Sequence, residues 1–180
     1  MPEPRIPPLH EDDWNASQSE ALKAFKEQGN VQNVFRTLAN HEMLAKRWMV
    51  FANHILFKNS LSPREREIAI LRAGYLAGSE YEWAQHKVIG RNAGMTDEEI
   101  EAVREGATAS VWSESDALIV RAADELHESV CISDDTWAGL ARHFSTQQIL
   151  DLIFTCGQYR MLAGALNSCG VPLDEGLEGF

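Results

Sequence analysis

Apolar residues along most of this chain recur at the spacing of a helix. From Ser17 onward they lie three or four residues apart, which places them on one face of a helix. The same spacing continues over residues 42–57 and again after Ser145, where the longest apolar stripe begins. No run shows the two-residue alternation and β-branched enrichment that are typical of strands. The pattern therefore predicts an all-α fold.

Capping residues mark where the later helices begin. In the sequence 62–65 (SPRE), the serine hydroxyl can cap a free amide, proline fits the first turn and glutamate returns the bond. Gly78 and Gly94 are typical stop residues. These signals predict helices over 62–77 and 79–93 that pair as an antiparallel hairpin. Further helices are expected to begin at Thr96, Ser113, Ser133 and Ser145, as in a globular helical bundle.

The two ends of the chain differ from its middle. Four of the six prolines fall within the first eight residues, which favours an extended segment. The last ten residues are acidic and contain glycine. We therefore divide the chain into an extended arm (1–16), a helical domain (17–170) and an acidic tail (171–180).

Composition excludes several classes of partner. The chain has 180 residues, the length of a single domain. Its 16 basic and 27 acidic residues give a net charge of −11, which argues against binding to nucleic acid. No apolar stretch approaches the length of a membrane span, and residues 1–8 have no apolar signal core. We expect a cytoplasmic protein that binds neither nucleic acid nor membranes.

The three cysteines, Cys131, Cys156 and Cys169, form no recognisable motif. Their number is odd and none begins a Cys-x-x-Cys pair, so a zinc site or a disulfide framework is not indicated. Cys156 and Cys169 lie in an apolar stretch, where free cysteine acts as a small core residue.

The segment 67–86 carries the candidate chemistry. Glu82 and His86 are four residues apart and share one helix face. Glu67 lies 11 residues before Gly78 and His86 lies eight after it, so an antiparallel hairpin brings them to a similar level at about 1.5 Å per residue. A carboxylate among isoleucines needs a partner. Two carboxylates flanking one imidazole would form a proton relay.

Two other interpretations of these residues remain open. Glu67 could be an ordinary surface residue of an Arg-Glu repeat, with His86 as a polar residue on a helix face. Alternatively, Glu67, Glu82 and His86 could bind a metal with a fourth ligand such as His54, although their spacing matches no common metal motif.

The same segment resembles a known family. Residues 61–67 (LSPRERE) and 79–86 (SEYEWAQH) are similar to the core of the carboxymuconolactone decarboxylase family, whose superfamily includes the alkylhydroperoxidase D proteins. Residues 94–100, 123–127 and 159–163 are similar to later helices of that family. The resemblance implies an alkylhydroperoxidase D-like helical bundle that assembles as a homotrimer or homohexamer.

One departure from the family pattern affects the expected chemistry. The peroxidase branch has a Cys-x-x-Cys motif followed by histidine, and the two cysteine positions here hold Ser79 and Glu82. Neither side chain supplies the thiolate that peroxide reduction requires. A thiol peroxidase is therefore not expected, unless Cys156 were exposed and acidic.

The decarboxylase branch implies a cofactor-free lyase acting on a small, anionic, carboxylated lactone or ring-cleavage product of aromatic catabolism. In that interpretation the catalytic residues are Glu67, Glu82 and His86, with His86 as the proton donor. No metal is expected. Candidate substrate-binding residues are Ser79, Tyr81, Arg72, Arg160 and His54. A non-catalytic family member that only binds a small molecule is the alternative.

Overall fold

The computed structural model describes residues 3–27, 29 and 31–180. Over these residues it contains helices and no strand. The all-α prediction is therefore confirmed. The helices are α1 (Ala16–Glu27), α2 (Asn33–Leu38), α3 (Glu42–Phe57), α4 (Pro63–Leu76), α5 (Glu80–Asn92), α6 (Asp97–Glu105), α7 (Glu114–Ser129), α8 (Asp134–His143) and α9 (Thr146–Cys169).

The helix starts lie where the capping residues predicted them. Ser62, Thr96 and Ser145 each form a complete capping box with the third helical residue. Ser113 and Ser133 accept a hydrogen bond from the third backbone amide of their helices. These bonds satisfy amides that a helix otherwise leaves unpaired.

Helix α4 lies at the centre of the bundle and packs against α5, α6, α7 and α9. Every residue from 67 to 74 is buried, so α4 has no solvent-facing stripe in its middle. Its first turn is tied to α6 and α7 by Arg64, whose guanidinium binds Glu99 and lies 2.8 Å from Asp116. A central position for α4 explains why its polar residues have protein partners.

The two ends of the chain pack on the helical domain. In the arm, the amides of Arg5 and Ile6 donate to the carbonyl of Cys169 at the end of α9. In the tail, the ring of Phe180 packs on Tyr75 and Trp83. No helix in the described part of the chain has the length and apolarity that crossing a membrane requires.

Candidate active site

The α4–α5 hairpin brings Glu67 and His86 together. Gly78 has φ +61° and turns the chain between the two helices, a conformation that glycine adopts without a steric cost. Glu67 Oε2 then lies 2.6 Å from His86 Nδ1. Glu67 is fully buried and His86 is 6% exposed. The surface interpretation of these two residues is therefore wrong.

Each partner in this pair has a second contact that holds it in place. The other oxygen of Glu67 accepts a bond from Arg66 Nε at 3.0 Å. The Tyr159 ring meets the His86 ring edge-on, with 4.8 Å between centroids. Because Nδ1 of His86 is directed at Glu67, its Nε2 is the nitrogen left to exchange a proton with a ligand.

Glu82 is buried in a different way, without a partner. Only 3% of the residue is exposed, and neither carboxyl oxygen has a hydrogen-bond partner among the described residues. Burial raises the pKa of the Glu82 carboxyl to about 8, and the Ser79 hydroxyl opposes only part of that rise. Glu82 is therefore largely protonated at neutral pH, and the bond to His86 comes from Glu67 alone.

Gly74 has no side chain and so leaves room for the Glu82 carboxyl. A Cβ atom on Gly74 would lie 3.3 Å from Glu82 Cβ and 3.4 Å from its Oε2. The close approach of α4 to α5 at this point therefore depends on a residue without a side chain.

Glu82 and His86 line one wall of a cavity of about 270 Å³. Its other walls come from α2, α3 and α9 and are mostly apolar. Glu67 lies behind His86 and does not line the cavity. The lining includes Val34, Phe35, Trp48, Met49, Ala52, Asn53, Ile55, Leu56, Phe57, Tyr81, Gln85, Ile89, Gln158, Tyr159, Leu162 and Leu166.

Two predicted binding residues near the cavity have structural partners. Ser79 is fully buried, and its hydroxyl caps α5 by accepting from the amide of Glu82. The Tyr81 hydroxyl donates to Asp174 in the tail and accepts from the amide of Val34. Burial and the Asp174 contact raise the pKa of Tyr81. The Tyr81 hydroxyl therefore shapes the cavity wall, with its hydrogen-bonding capacity already in use.

Three other predicted binding residues do not line the cavity. Arg72 lies 2.5 Å from Asp124 and also donates to the carbonyl of Val103. Arg160 is exposed and donates to the carbonyl of Leu126. His54 is half-exposed and lies 3.3 Å from Asp151. The structure therefore does not bring these residues to the cavity, because each side chain contacts a group elsewhere.

Three cavity residues were not singled out from the sequence. Tyr159 occupies the predicted buried stripe of α9, and its pKa is raised by burial and by the charges of Glu67 and Glu82. Buried polar atoms of Trp48 (Nε1) and Gln158 (Oε1) have no partner among the described residues. A polar glutamine within the apolar stripe of α9 was the available signal.

The cysteines are separate from the site. All three are free, and none lines the cavity. Burial raises the pKa of the Cys156 thiol to about 12, the opposite of an activated thiolate. The condition set above for a peroxidase that uses Cys156 is not met.

Metal-binding side chains do not cluster in the part of the chain that the structure describes. No group of three or more His, Cys, Asp or Glu residues there is arranged to hold an ion. His54, the fourth ligand considered from the sequence, is bonded to Asp151 instead.

The chain matches one family and several solved structures. The model of the carboxymuconolactone decarboxylase family matches residues 42–125, and no curated protein matches the sequence. An uncharacterized peroxidase-related protein from Ralstonia eutropha JMP134 has a TM-score of 0.82 at 16% identity, with 97% of this chain and 94% of that chain covered. A peroxidase-related protein from Silicibacter sp. TM1040 has a TM-score of 0.82 at 15% identity, with 97% and 95% covered.

The debrominase Bmp8, in complex with 2,3,4-tribromopyrrole, is also similar in structure. Its TM-score is 0.78 at 15% identity, with 97% of this chain and 94% of that chain covered. At identities this low, the structural similarity establishes a shared fold. It shows that the chain has an alkylhydroperoxidase D-like fold, and residues 42–125 match the model of the carboxymuconolactone decarboxylase family.

Proposed function

We propose that this protein is a cofactor-free decarboxylase or related lyase that acts on a small carboxylated lactone or ring-cleavage product. The observation that carries the proposal is the combination of a protonated Glu82 and a Glu67-bound His86 on one wall of an apolar cavity. A protonated carboxyl and an imidazole beside one ligand are typical of acid–base catalysis.

The reaction can be written with these residues alone. The bond between the ring and its carboxylate breaks and carbon dioxide leaves. The electron pair passes into the lactone carbonyl as a dienolate, and His86 Nε2 then delivers a proton to carbon. Glu67 positions the imidazole and stabilises its charged form. The Glu82 carboxyl donates a hydrogen bond to the developing oxyanion, and solvent returns the proton to His86.

The charge of the cavity supports a substrate with a single carboxylate. No lysine or arginine lines the cavity within the described residues, so a dianion would have no cationic partner except His86. An unpaired buried carboxylate is costly. A single carboxylate can accept hydrogen bonds from His86 and from the protonated Glu82, and its loss as carbon dioxide removes the buried charge.

An open cavity also supports a second candidate, a family member that binds a small molecule without converting it. The observations that favour catalysis over binding are the uncompensated burial of Glu82 and the direct Glu67–His86 bond. A binding protein has no need of either. Thiol peroxidase activity has no support, because Ser79 and Glu82 occupy the expected cysteine positions.

A ligand screen followed by a turnover assay tests the proposal. Thermal shift across lactones and keto acids of aromatic catabolism identifies compounds that stabilise the protein. Release of carbon dioxide from each compound is then measured with the unmodified protein and with His86→Ala. Turnover that depends on His86 supports the lyase, and tight binding without any turnover supports the binding protein.

Self-association as a homotrimer or homohexamer is part of the same proposal. Large apolar side chains are exposed on α3 and α9, which lie side by side where the Phe51 and Phe154 rings meet at 6.1 Å. Contiguous exposed apolar patches mark protein interfaces. Phe57 is 78% exposed and also lines the cavity, so a second copy on this face would cover part of the cavity. The exposed residues are Val50, Phe57, Leu150, Phe154 and Met161.

A further inference from the structure

The amide of Gln158 is a buried polar group that the proposed reaction does not use. Gln158 is 4% exposed, lines the cavity and has no hydrogen-bond partner for Oε1 among the described residues. Leaving a buried acceptor unpaired is unfavourable, because the group loses its hydrogen bonds to water without gaining a new one. Native proteins seldom contain such a group without a ligand or water to satisfy it.

Two other amides at the cavity, those of Gln32 and Gln85, have partners within the protein. Gln32 donates to Gln85 at 3.0 Å, and Gln85 donates to Asp174 at 2.5 Å. These side chains form a closed network within the protein. Gln158 differs from them, because it lines the same cavity and its carbonyl accepts no hydrogen bond from any residue that the structure describes.

We infer that the ligand of this cavity is a small ring acid that also carries a hydroxyl group, and that Gln158 selects it by accepting the hydroxyl hydrogen. The inference rests on the proposed function only in placing the carboxylate beside His86 and Glu82. A carbonyl acceptor needs a donor on the ligand, and a hydroxyl is the donor that adds least volume to a ring. The buried Trp48 Nε1–H, also without a partner, adds a donor suited to a ligand oxygen.

The size of the cavity fits a single ring. Its volume of about 270 Å³ is just below the range of roughly 300–1,000 Å³ that drug-sized ligands occupy. Its remaining walls, formed by side chains such as Phe35 and Leu162, match the apolar faces of such a ring.

Calorimetric binding of four probes tests the inference: benzoate and its 2-, 3- and 4-hydroxy isomers. We expect at least one isomer to bind about tenfold more tightly than benzoate, because the hydroxyl satisfies an acceptor that benzoate leaves unpaired. In Gln158→Leu this preference should fall to a ratio of about one, while benzoate binds at least as well as before.

Two controls make the result specific to Gln158. Asn53→Leu removes an exposed amide from the same cavity lining and should leave the preference intact. Thermal melting of Gln158→Leu should show a folded protein, because the substitution removes an unsatisfied group.

Three results would overturn the inference: no isomer binding better than benzoate, a preference that survives Gln158→Leu, or no binding of any probe at millimolar concentration. Failure of the lyase proposal is distinguishable. The protein could prefer hydroxylated probes, lose that preference in Gln158→Leu and still release no carbon dioxide. That result would support the role of Gln158 in binding and refute the lyase proposal.

Discussion

Replacing Glu82 with glutamine should stabilise this protein by an amount that grows with pH. The pKa of the Glu82 carboxyl is about 8 in the folded protein, against an ordinary value of 4.5. Between these values the folded chain holds a proton that the unfolded chain has released. The free energy of unfolding therefore falls as pH rises, by about 1.4 kcal/mol per pH unit. Above pH 8 the Glu82 carboxyl is ionised in both the folded and the unfolded chain, so the free energy of unfolding stops falling.

Glutamine has almost the same shape and does not ionise, so Glu82→Gln should escape this loss. The stability difference between the variant and the unmodified protein should widen by about 4 kcal/mol from pH 5 to pH 8 and then level off. Urea denaturation at pH 5, 6, 7, 8 and 9 measures it, with constant m-values as the check on two-state unfolding.

Glu98→Gln provides the matched control, because Glu98 is exposed on α6 and water solvates its carboxylate in both states. Its stability difference should stay nearly constant over the same pH range. A Glu82→Gln difference that is equally flat would refute the reasoning, since it would mean that the carboxyl is already solvated or paired in the folded protein.

Three further predictions concern the site and the assembly. His86→Ala and Glu67→Gln should each lower turnover by about 100-fold or more. His54→Ala alters a side chain away from the cavity and should change kcat by less than about twofold. Equal losses in all three variants would contradict the assigned roles. Cys156→Ala should leave turnover nearly unchanged in the same assay, and an inactive but folded variant would restore a thiol mechanism. Sedimentation equilibrium should show a trimer or hexamer at micromolar concentration. Phe57→Lys should shift the protein towards monomer, because it places a charge on the exposed apolar face. A monomeric unmodified protein would contradict the proposed interface.

The Glu67–His86 contact was largely predictable from local sequence. Helix starts depend on short-range hydrogen bonds, so capping residues such as Ser62 and Thr96 mark them without tertiary information. A two-helix hairpin with a glycine corner then relates Glu67 to His86 by counting residues. The 2.6 Å contact between these side chains confirms that prediction.

The binding residues were less predictable, because buried polar side chains take whichever partner the fold brings near. Arg72 lies in an apolar helix, which signals burial but does not distinguish a substrate carboxylate from Asp124. The hydroxyl of Tyr81 is bound by Asp174, which is 93 residues away in the chain. A contact between residues so far apart in the sequence leaves no local pattern from which it could be predicted.

The sequence by itself determined the helical class, the helix starts, the corner at Gly78 and the absence of a paired thiol at the site. Only the tertiary structure decided that Glu67 rather than Glu82 binds His86, and that Glu82, Trp48 and Gln158 line one cavity. The physical reason is that capping and helical periodicity are local interactions. The protonation state of Glu82 and the unpaired amide of Gln158 depend instead on burial, which α3, α5 and α9 create only when they pack together.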